Sequence, residues 1–382
     1  MSRIGISALL PIVPLLLFLA GCANGSQESV ERDWTILAGD DLLEQTGSID
    51  ELGDPRELMA RGDSALYFAD WALNGLHRYD WQTGELSEGT GLGQGPGEIR
   101  EESNQFLAPL DDGNLWLHDQ QQGRITVYNP SLEPLDQMTV SGTMRSLPLG
   151  DSLMATVPSG GEVLASVHDL SETPAPLEAA DPEGAEWTYS TDEREIFEEA
   201  ARNHVVKYGP ATACSDEVVT GFEFASHLLR IRGDSIELLD EPEPLEFPVE
   251  TDLDEGHVRR PDWFNPRATL DLACDERSIY ALFSGRAVSR SDVGMGLPSA
   301  SERAELRAEI ERSDRLHVYD RSTGAFELEI ELPIEARQLA ASENYLYLLV
   351  HEGDGPRILR YAWIDENNQN SPSANDEQVD ES

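Results

Sequence analysis

Short apolar runs recur along most of the chain, and they come in pairs separated by turn residues. Each run alternates apolar and polar positions or is continuously apolar, and each is bounded by Gly, Asp, Asn or Pro. This pattern is typical of short strands joined by tight turns. The six predicted strand pairs are 64–70 with 75–80, 113–119 with 124–129, 151–157 with 163–169, 216–222 with 227–233, 277–283 with 315–320, and 344–350 with 357–363.

The clearest copy of the repeated unit lies at residues 75–98, which read GLHRYDWQTGELSEGTGLGQGPGE. It predicts a strand, a turn in which Gly84 takes a positive φ, a second strand, and a glycine-rich connection to the next unit. Less regular copies follow at 125–135 (ITVYNPSLEPL) and 316–328 (LHVYDRSTGAFEL). A strand–turn–strand unit that repeats predicts a β-propeller or another repeat array.

The number of strand pairs predicts the fold class, an all-β, six-bladed β-propeller of four-stranded antiparallel blades over residues 34–364. The last repeat lacks an outermost strand, and residues 34–37 read as an isolated strand without a hairpin partner. We therefore expect this N-terminal strand to pair with the last blade and close the ring, because pairing removes two open edges. Residues 365–382 are polar and acidic without an apolar pattern, and we expect an acidic disordered tail there.

Two stretches between the strand pairs have a helical pattern. Residues 191–206 begin with a candidate N-cap, Thr191, and acidic residues follow it. Residues 299–312 begin with Ser299 and are rich in strong helix formers. Insertions on a rigid scaffold often carry binding sites, and surface decoration is the alternative.

The charge of the chain is extreme. It has 73 Asp and Glu residues against 27 Lys and Arg residues, a formal net charge of −46, and Lys207 is the only lysine. Either the protein has an acidic docking surface, or it is adapted to high salt, which screens the repulsion among its carboxylates. The even spread of the acids favours the halophilic interpretation. Nucleic acid is not an expected partner, since no basic stripe is present to contact phosphates.

The N-terminal 21 residues have an apolar stretch, and it ends in Leu19-Ala20-Gly21-Cys22. These four residues resemble the lipobox of bacterial lipoproteins, which implies cleavage before Cys22 and lipidation of its sulfur. Residues 1–21 are then a signal peptide and residues 22–33 a flexible tether to the membrane. Ala23 follows the cysteine instead of the Asp that retains lipoproteins in the inner membrane, which favours the outer membrane if the cell has two. The alternative is an ordinary secretory signal with a chance cysteine.

The segment GQGPGE (93–98) follows a unit of the form strand, Asp-x-x-Thr-Gly, strand. The same part of the chain contains the segments LYFAD (66–70) and LHRYD (76–80). This combination resembles the NHL-like six-bladed β-propeller lipoproteins of environmental bacteria. In that family a G-x-G-P-G-E-F segment joins one blade to the next, and Ile99 stands here where Phe is usual. The resemblance implies the fold and an inter-blade loop, and it implies almost nothing about activity.

Two cysteines remain besides Cys22. Cys214 and Cys274 precede equivalent strands in neighbouring repeats, within ATACSDEVVTGF and DLACDERSIYALF. They either form a disulfide, which an exported compartment permits, or serve as two small buried thiols.

Histidine and arginine are the other candidate functional residues. The histidines His77, His118, His168 and His317 fall on repeat strands or their ends, so they are interpreted as part of the blades. The arginines of segments expected near the mouth of a central channel are Arg56, Arg145, Arg259, Arg260 and Arg337. In so acidic a chain each is expected to pair with carboxylates.

No arrangement of residues in the sequence indicates a catalytic site. The leading hypothesis is an envelope-anchored lipoprotein whose propeller binds or scaffolds an unknown protein or small-molecule ligand, with the membrane as its other partner. One alternative is a calcium-dependent lactonase or esterase-like hydrolase that uses the central channel, although no segment matches such a site. No cofactor is predicted otherwise. A carbohydrate-binding propeller is a further alternative, and its candidate exposed aromatics are Trp71, Trp81, Trp187 and Trp263.

Overall fold

The computed structural model describes residues 34–100, 104–140, 143–150, 153–158, 165–170, 209–233, 235–243, 245, 266–288, 299–352 and 355–364. Within these ranges the protein is nearly all β, with two short helices. Several predicted segments lie outside the described residues, namely the predicted signal peptide (1–21), Cys22 with the predicted tether (22–33), the predicted helix at 191–206 and the predicted tail at 365–382.

The strands, in chain order, are β1 (Ile36–Ala38), β2 (Leu43–Ile49), β3 (Pro55–Arg61), β4 (Ala65–Asp70), β5 (Gly75–Asp80), β6 (Glu85–Gly91), β7 (Gln105–Pro109), β8 (Leu115–Asp119), β9 (Arg124–Tyr128), β10 (Pro134–Thr139), β11 (Thr143–Leu149), β12 (Leu153–Pro158), β13 (Ser166–Asp169), β14 (Ala211–Cys214), β15 (Glu217–Gly221), β16 (Leu228–Arg232), β17 (Ser235–Leu238), β18 (Thr269–Cys274), β19 (Ser278–Phe283), β20 (Ser313–Asp320), β21 (Phe326–Ala341), β22 (Tyr345–Glu352) and β23 (Gly355–Trp363). The helices are α1 (Gly39–Leu42) and α2 (Ala300–Ile310).

These strands form antiparallel sheets that follow one another along the chain. Three sheets have four strands each, β3–β6, β7–β10 and β14–β17, and the described part of a fourth has three, β11–β13. The fifth sheet has eight strands, and its main path runs β18-β19-β20-β21-β22-β23-β2. Each of the six predicted strand pairs is present as an antiparallel pair.

The eight-stranded sheet is continuous because one strand belongs to both of its halves. Strand β21 is 16 residues long. Its first part pairs with β20, and its last part pairs with β22. The sheet therefore contains two four-stranded groups, β18–β21 and β21–β23 with β2.

The N-terminal strands differ from the sequence prediction. Strand β2 pairs antiparallel with β23, from Leu43 opposite Trp363 to Ile49 opposite Ile358. The segment predicted for this position, residues 34–37, overlaps β1 instead, and β1 runs parallel to the first part of β21. An N-terminal strand does extend the last group of strands, but the assignment of residues 34–37 to that position was wrong.

The first strand of each four-stranded or three-stranded group lies beside the first strand of the next group, with β21 as the first strand of the last group. Contacts join β3 to β7, β7 to β11, β11 to β14, β14 to β18, β18 to β21, and β21 to β3. Apolar side chains fill the spaces between neighbouring sheets. One such cluster joins the first sheet to the last through Leu66, Phe68, Tyr347 and Ile358. In a β-propeller fold, sheets follow one another along the chain and the innermost strand of each contacts the innermost strands of its neighbours, as these sheets do.

The turns after the third strands are closed by aspartate. Asp80 Oδ1 accepts hydrogen bonds from the amides of Gln82 (2.9 Å) and Thr83 (3.1 Å), and Gly84 has φ +72°. This is the Asp-x-x-Thr-Gly turn of the sequence, and it recurs with Asp320 and Thr323 (2.7 Å). A short carboxylate satisfies the backbone amides of the turn, which is why aspartate is favoured here.

The GQGPGE segment connects β6 to β7 and is held against the second sheet. Tyr128 donates a hydrogen bond to the carbonyl of Gly97 (2.8 Å), and Arg124 donates to the carbonyl of Gly95 (3.0 Å). The Glu98 carboxylate accepts from the Gly95 amide (2.6 Å), which closes the loop on itself. The segment is thus a structural connection between sheets.

A helix occurs within the stretch 299–312. The N-cap of α2 is Ser299, which forms a capping box with Glu302. Among the described residues, no helix has the length and apolar character needed to cross a membrane.

Candidate binding cavity at the inner strands

A cavity of about 720 Å³ lies where the inner strands converge. Residues of β3, β7, β11, β14, β18 and β21 line it, and helix α2 contributes further lining residues. Because every sheet contributes, residues that are far apart in sequence meet at this one place. The cavity lies within the size range of small-molecule binding sites.

The lining is rich in charge. Five guanidinium groups and five carboxyl groups face the cavity: Arg56, Arg145, Arg267, Arg307 and Arg337, with Asp54, Glu57, Glu223, Asp271 and Glu311. The two sets are equal in number, whereas the chain as a whole has 73 acidic residues against 27 Lys and Arg residues. The cavity is therefore a local exception to the acidity of the protein.

Glu57 has an unusual backbone conformation. Its φ is +53°, a left-handed value that residues other than Gly, Asn and Asp rarely adopt. It lies where the register of β3 against β4 shifts between Arg56 and Met59. Such a bulge changes the direction of a side chain, and strained residues of this kind are concentrated at functional sites.

The Glu57 and Asp271 carboxyl groups lie near each other and are enclosed by protein. Glu57 retains some accessible surface because it faces the cavity. Burial, reinforced by the charge of Asp271, raises the pKa of Glu57 to about 8. Burial likewise raises the pKa of Asp271 to about 7, although the Leu339 amide donates a hydrogen bond of 2.7 Å to its Oδ2. Two enclosed carboxyl groups that form no ion pair with a described residue favour protonation.

Arg145 is the most deeply buried cation of the cavity, with 3% of its surface exposed. Its Nη1 donates to the Thr220 hydroxyl oxygen (2.5 Å) and to the Pro210 carbonyl (3.4 Å). Burial lowers the pKa of Arg145 to about 9, and the charge of Glu57 opposes this shift. Arg145 therefore stays charged at neutral pH and is held in place by neighbouring strands.

A second group of charges surrounds Glu311 at the end of α2. The Glu311 carboxylate lies 2.5 Å from Arg307, 3.1 Å from Arg337 and 3.6 Å from Arg267. Arg267 also forms an ion pair with Glu223. Three guanidinium groups thus share two carboxylates.

Arg56 forms a separate pair at the edge of the cavity. Its Nε lies 3.1 Å from Asp54 Oδ1, and its guanidinium lies 4.8 Å from the centre of the Trp71 ring. Trp71, one of the tryptophans considered for carbohydrate binding, is thus in contact with Arg56. Trp81 instead packs between the first and last sheets, 5.8 Å from Tyr347. Trp187 and Trp263 lie outside the described residues.

Three of the five arginines singled out in the sequence line the cavity, namely Arg56, Arg145 and Arg337. Arg259 and Arg260 lie outside the described residues. Sequence reasoning missed Glu57 and Asp271. A usable signal was present for Asp271, because it is a charged residue inside the apolar strand TLDLAC.

The histidines of the repeats belong to the sheets. His77, His118 and His317 are buried and stack on phenylalanine rings with centroid separations of 5.6, 5.9 and 4.6 Å. His168 lies on β13, where its Nε2 is 2.9 Å from the Thr156 hydroxyl oxygen.

Cys214 and Cys274 form a disulfide bond in the structure, with their Cα atoms 5.9 Å apart. It joins the ends of β14 and β18, which are the inner strands of neighbouring sheets.

Among the described residues, no group of three or more His, Cys, Asp or Glu side chains has an arrangement that would hold a metal ion. The paired acids Glu57 and Asp271 are two ligands only, and Arg145 lies beside them.

The chain is similar in structure to several solved proteins. A candidate exported protein of Bacteroides fragilis NCTC 9343 is 12% identical, with a TM-score of 0.50 over 87% of this chain and 99% of that chain. The β-propeller domain of Cps50 (Swd1) from Myceliophteria thermophila is 11% identical, with a TM-score of 0.42 over 84% of this chain and 99% of that one. A DUF4221 family member from Bacteroides vulgatus is 10% identical, with a TM-score of 0.44 over 84% and 97%. No family model and no curated protein sequence matches the chain.

Proposed function

We propose that this protein is an envelope lipoprotein whose six-bladed β-propeller binds a ligand in the cavity at its inner strands. The observation that carries the proposal is the concentration of five arginines and five carboxyl groups around that one cavity in a chain of net charge −46. Burying arginines and carboxyl groups is costly unless they are paired or serve a ligand. Perturbed carboxyl groups in a concave site are typical of functional sites.

Six blades and a closed ring are part of this proposal. The three four-stranded sheets, the three-stranded sheet and the two halves of the eight-stranded sheet supply six groups of strands. The contacts between β21 and β3, together with the apolar cluster shared by the first and last sheets, support closure.

Binding is tested with the full chain carrying Cys22→Ser, so that the protein is not lipidated. Thermal unfolding is followed with panels of amino acids, short peptides, sugars and nucleotides at native salt. A ligand of the cavity raises the melting temperature of this chain, and Glu57→Gln reduces the shift. The matched control is Glu85→Gln, on the exposed strand β6. No shift with any panel would contradict a small-molecule site.

Anchoring at Cys22 is proposed from the lipobox-like residues 19–22. The outer membrane is the proposed location if the cell has two membranes. Metabolic labelling with an alkyne fatty acid tests this directly. The expected result is a labelled band that Cys22→Ala abolishes and that fractionates with membranes. A labelled Cys22→Ala chain, or an unlabelled native chain, would contradict it.

A protein partner remains part of the proposal, because propellers commonly present loops to other proteins. Crosslinking in native membranes at native salt, read by mass spectrometry, identifies such a partner. Reproducible crosslinks on 191–206 or 299–312 would assign the interface to these segments. Crosslinks confined to other surfaces would contradict that assignment.

A further inference from the structure

The charged groups of the cavity separate into two sets of opposite excess charge. The first set, which we call the carboxyl pole, consists of Glu57, Asp271 and Asp54, with the guanidinium groups of Arg56 and Arg145 beside them. The second set, the arginine pole, consists of Arg267, Arg307 and Arg337 around Glu223 and Glu311. When all groups are ionised, the first set has one negative charge in excess and the second has one positive charge in excess.

The carboxyl oxygens of Glu57 and Asp271 can accept more hydrogen bonds than the described residues donate to them. No described residue donates a hydrogen bond to the Glu57 carboxyl group, and its surroundings act on it only through charge and burial. Asp271 accepts from backbone amides, including that of Leu339, and no described cation forms an ion pair with it. A protonated amine carries three N–H donors and one positive charge, which matches both needs.

The arginine pole has donors to spare. Three guanidinium groups lie around the Glu311 carboxylate, although two bidentate guanidinium groups are enough to occupy its acceptor positions. Arg307 and Arg337 keep 64% and 27% of their side-chain surface exposed, so their remaining N–H groups can reach a ligand. A second carboxylate, supplied by a ligand, fits this surplus of planar donors.

We infer that the cavity binds zwitterions that carry a free amine and a free carboxylate, namely amino acids and short peptides. The ligand amine lies at the carboxyl pole, and the ligand carboxylate lies at the arginine pole. This inference rests on the proposed binding function of the cavity and specifies its ligand class. The strongly negative protein repels anions from its surface, but a zwitterion has no net charge and is not excluded. The volume of about 720 Å³ accommodates a short peptide.

The test uses isothermal titration calorimetry on the full chain with Cys22→Ser, at native salt. The probes are L-alanine, tri-L-alanine, N-acetyl-tri-L-alanine, which lacks the amine, and tri-L-alanine amide, which lacks the carboxylate. We expect the unblocked tripeptide to bind about 10- to 100-fold more tightly than either blocked form, because each blocked form loses one charge-assisted contact. Equal binding of a blocked form, or no binding of any alanine probe, overturns the inference.

Two variants assign the poles. Glu57→Gln is expected to weaken binding of tri-L-alanine and leave binding of the N-acetyl form unchanged. Arg337→Gln is expected to weaken binding of tri-L-alanine and leave binding of the amide unchanged. The controls are Glu85→Gln and Arg277→Gln, which replace exposed residues away from the cavity. Variants that weaken all probes equally overturn the assignment of the poles.

Failure of this inference is distinguishable from failure of the proposed function. If a sugar or nucleotide of the thermal panels binds and Glu57→Gln reduces its binding, the cavity is a binding site but not for zwitterions. If neither the alanine probes nor the panels bind, both proposals are wrong.

Discussion

Arg321 donates a hydrogen bond of 2.6 Å from its Nε to Oε1 of Glu217, a carboxylate whose side chain is fully buried. Arg321 follows β20, and Glu217 begins β15, so the pair joins two neighbouring sheets through residues that are 104 apart in sequence. The same guanidinium donates to the carbonyls of Cys214 and Asp275. The Arg321 side chain thus contacts the backbone at Cys214 and the backbone directly after Cys274, the two cysteines of the disulfide.

Replacing Arg321 with Met is expected to lower the free energy of unfolding by about 2 kcal/mol, because the buried Glu217 carboxylate loses one charged hydrogen-bond partner and keeps the other, Arg232. Chemical denaturation of both chains measures the difference. Arg277→Gln is the matched control, since it changes an exposed arginine in the adjacent turn and is expected to have an effect within about 0.5 kcal/mol. Equal stability of the two variants would contradict this account of Arg321.

The disulfide between Cys214 and Cys274 spans 60 residues of chain. Replacing both cysteines with Ser is expected to lower the free energy of unfolding by about 4 kcal/mol, because the unfolded chain regains the entropy of an open loop. Intact mass under non-reducing conditions, before and after thiol labelling, first establishes that the native chain contains the bond. Two reactive thiols in the folded native protein would contradict it.

The stability of the protein is expected to fall as the pH rises from 5 to 8. Burial and Asp271 raise the pKa of Glu57 to about 8 from an ordinary value of 4.5, while Arg56 and Arg145 partly oppose the shift. In this window the folded chain holds a proton that the unfolded chain has released, so ionisation of Glu57 costs folding free energy. The contribution of Glu57 over this range is at most about 4 kcal/mol.

Glu57→Gln removes this titration, so its stability should depend less on pH than that of the native chain between pH 5 and 8. Urea denaturation at four pH values measures both slopes, with Glu85→Gln as the control. Parallel slopes for the native chain and Glu57→Gln would contradict the assignment of the titration to Glu57.

Salt is expected to stabilise the fold. The formal charge of −46 produces self-repulsion, and raising the ionic strength from 0.1 to 1 M shortens the screening length from about 10 to about 3 Å. The melting temperature should therefore rise with potassium chloride and fall as salt approaches zero. Sucrose is the uncharged control. A melting temperature that does not depend on salt would favour an acidic docking surface over adaptation to high salt.

The sequence predicted the middle strands of each sheet well and the outer ones poorly. Pairs such as 64–70 with 75–80 are largely buried, so their apolar residues stand out against the turns. Strand β2 has buried residues only at its two ends, Leu43 and Ile49, and the residues between them are polar or small. An outer strand of this kind is specified by its partner β23 and not by its own pattern, which explains the wrong assignment of residues 34–37.

The candidate site was predictable only in part, for a related reason. Arg56, Arg145 and Arg337 could be singled out because their segments were expected near the mouth of a central channel. Glu57 could not, since it is one of 73 acidic residues and its distinguishing feature is a backbone conformation. The proximity of Glu57 to Asp271 arises from the way the sheets are arranged, because β3 and β18 belong to sheets that are far apart in sequence.

The pairing of β2 with β23 has a consequence for the order of folding. Glu44 lies opposite Ala362, so the last group of strands joins residues from nearly opposite ends of the chain. At ordinary rates of synthesis, roughly 15 to 60 s separate the appearance of these two strands. During that interval β2 has no partner, and the edge of the last group does not exist. The pairing of β2 with β23 therefore cannot form until synthesis has passed residue 363, and contacts of such long range form slowly.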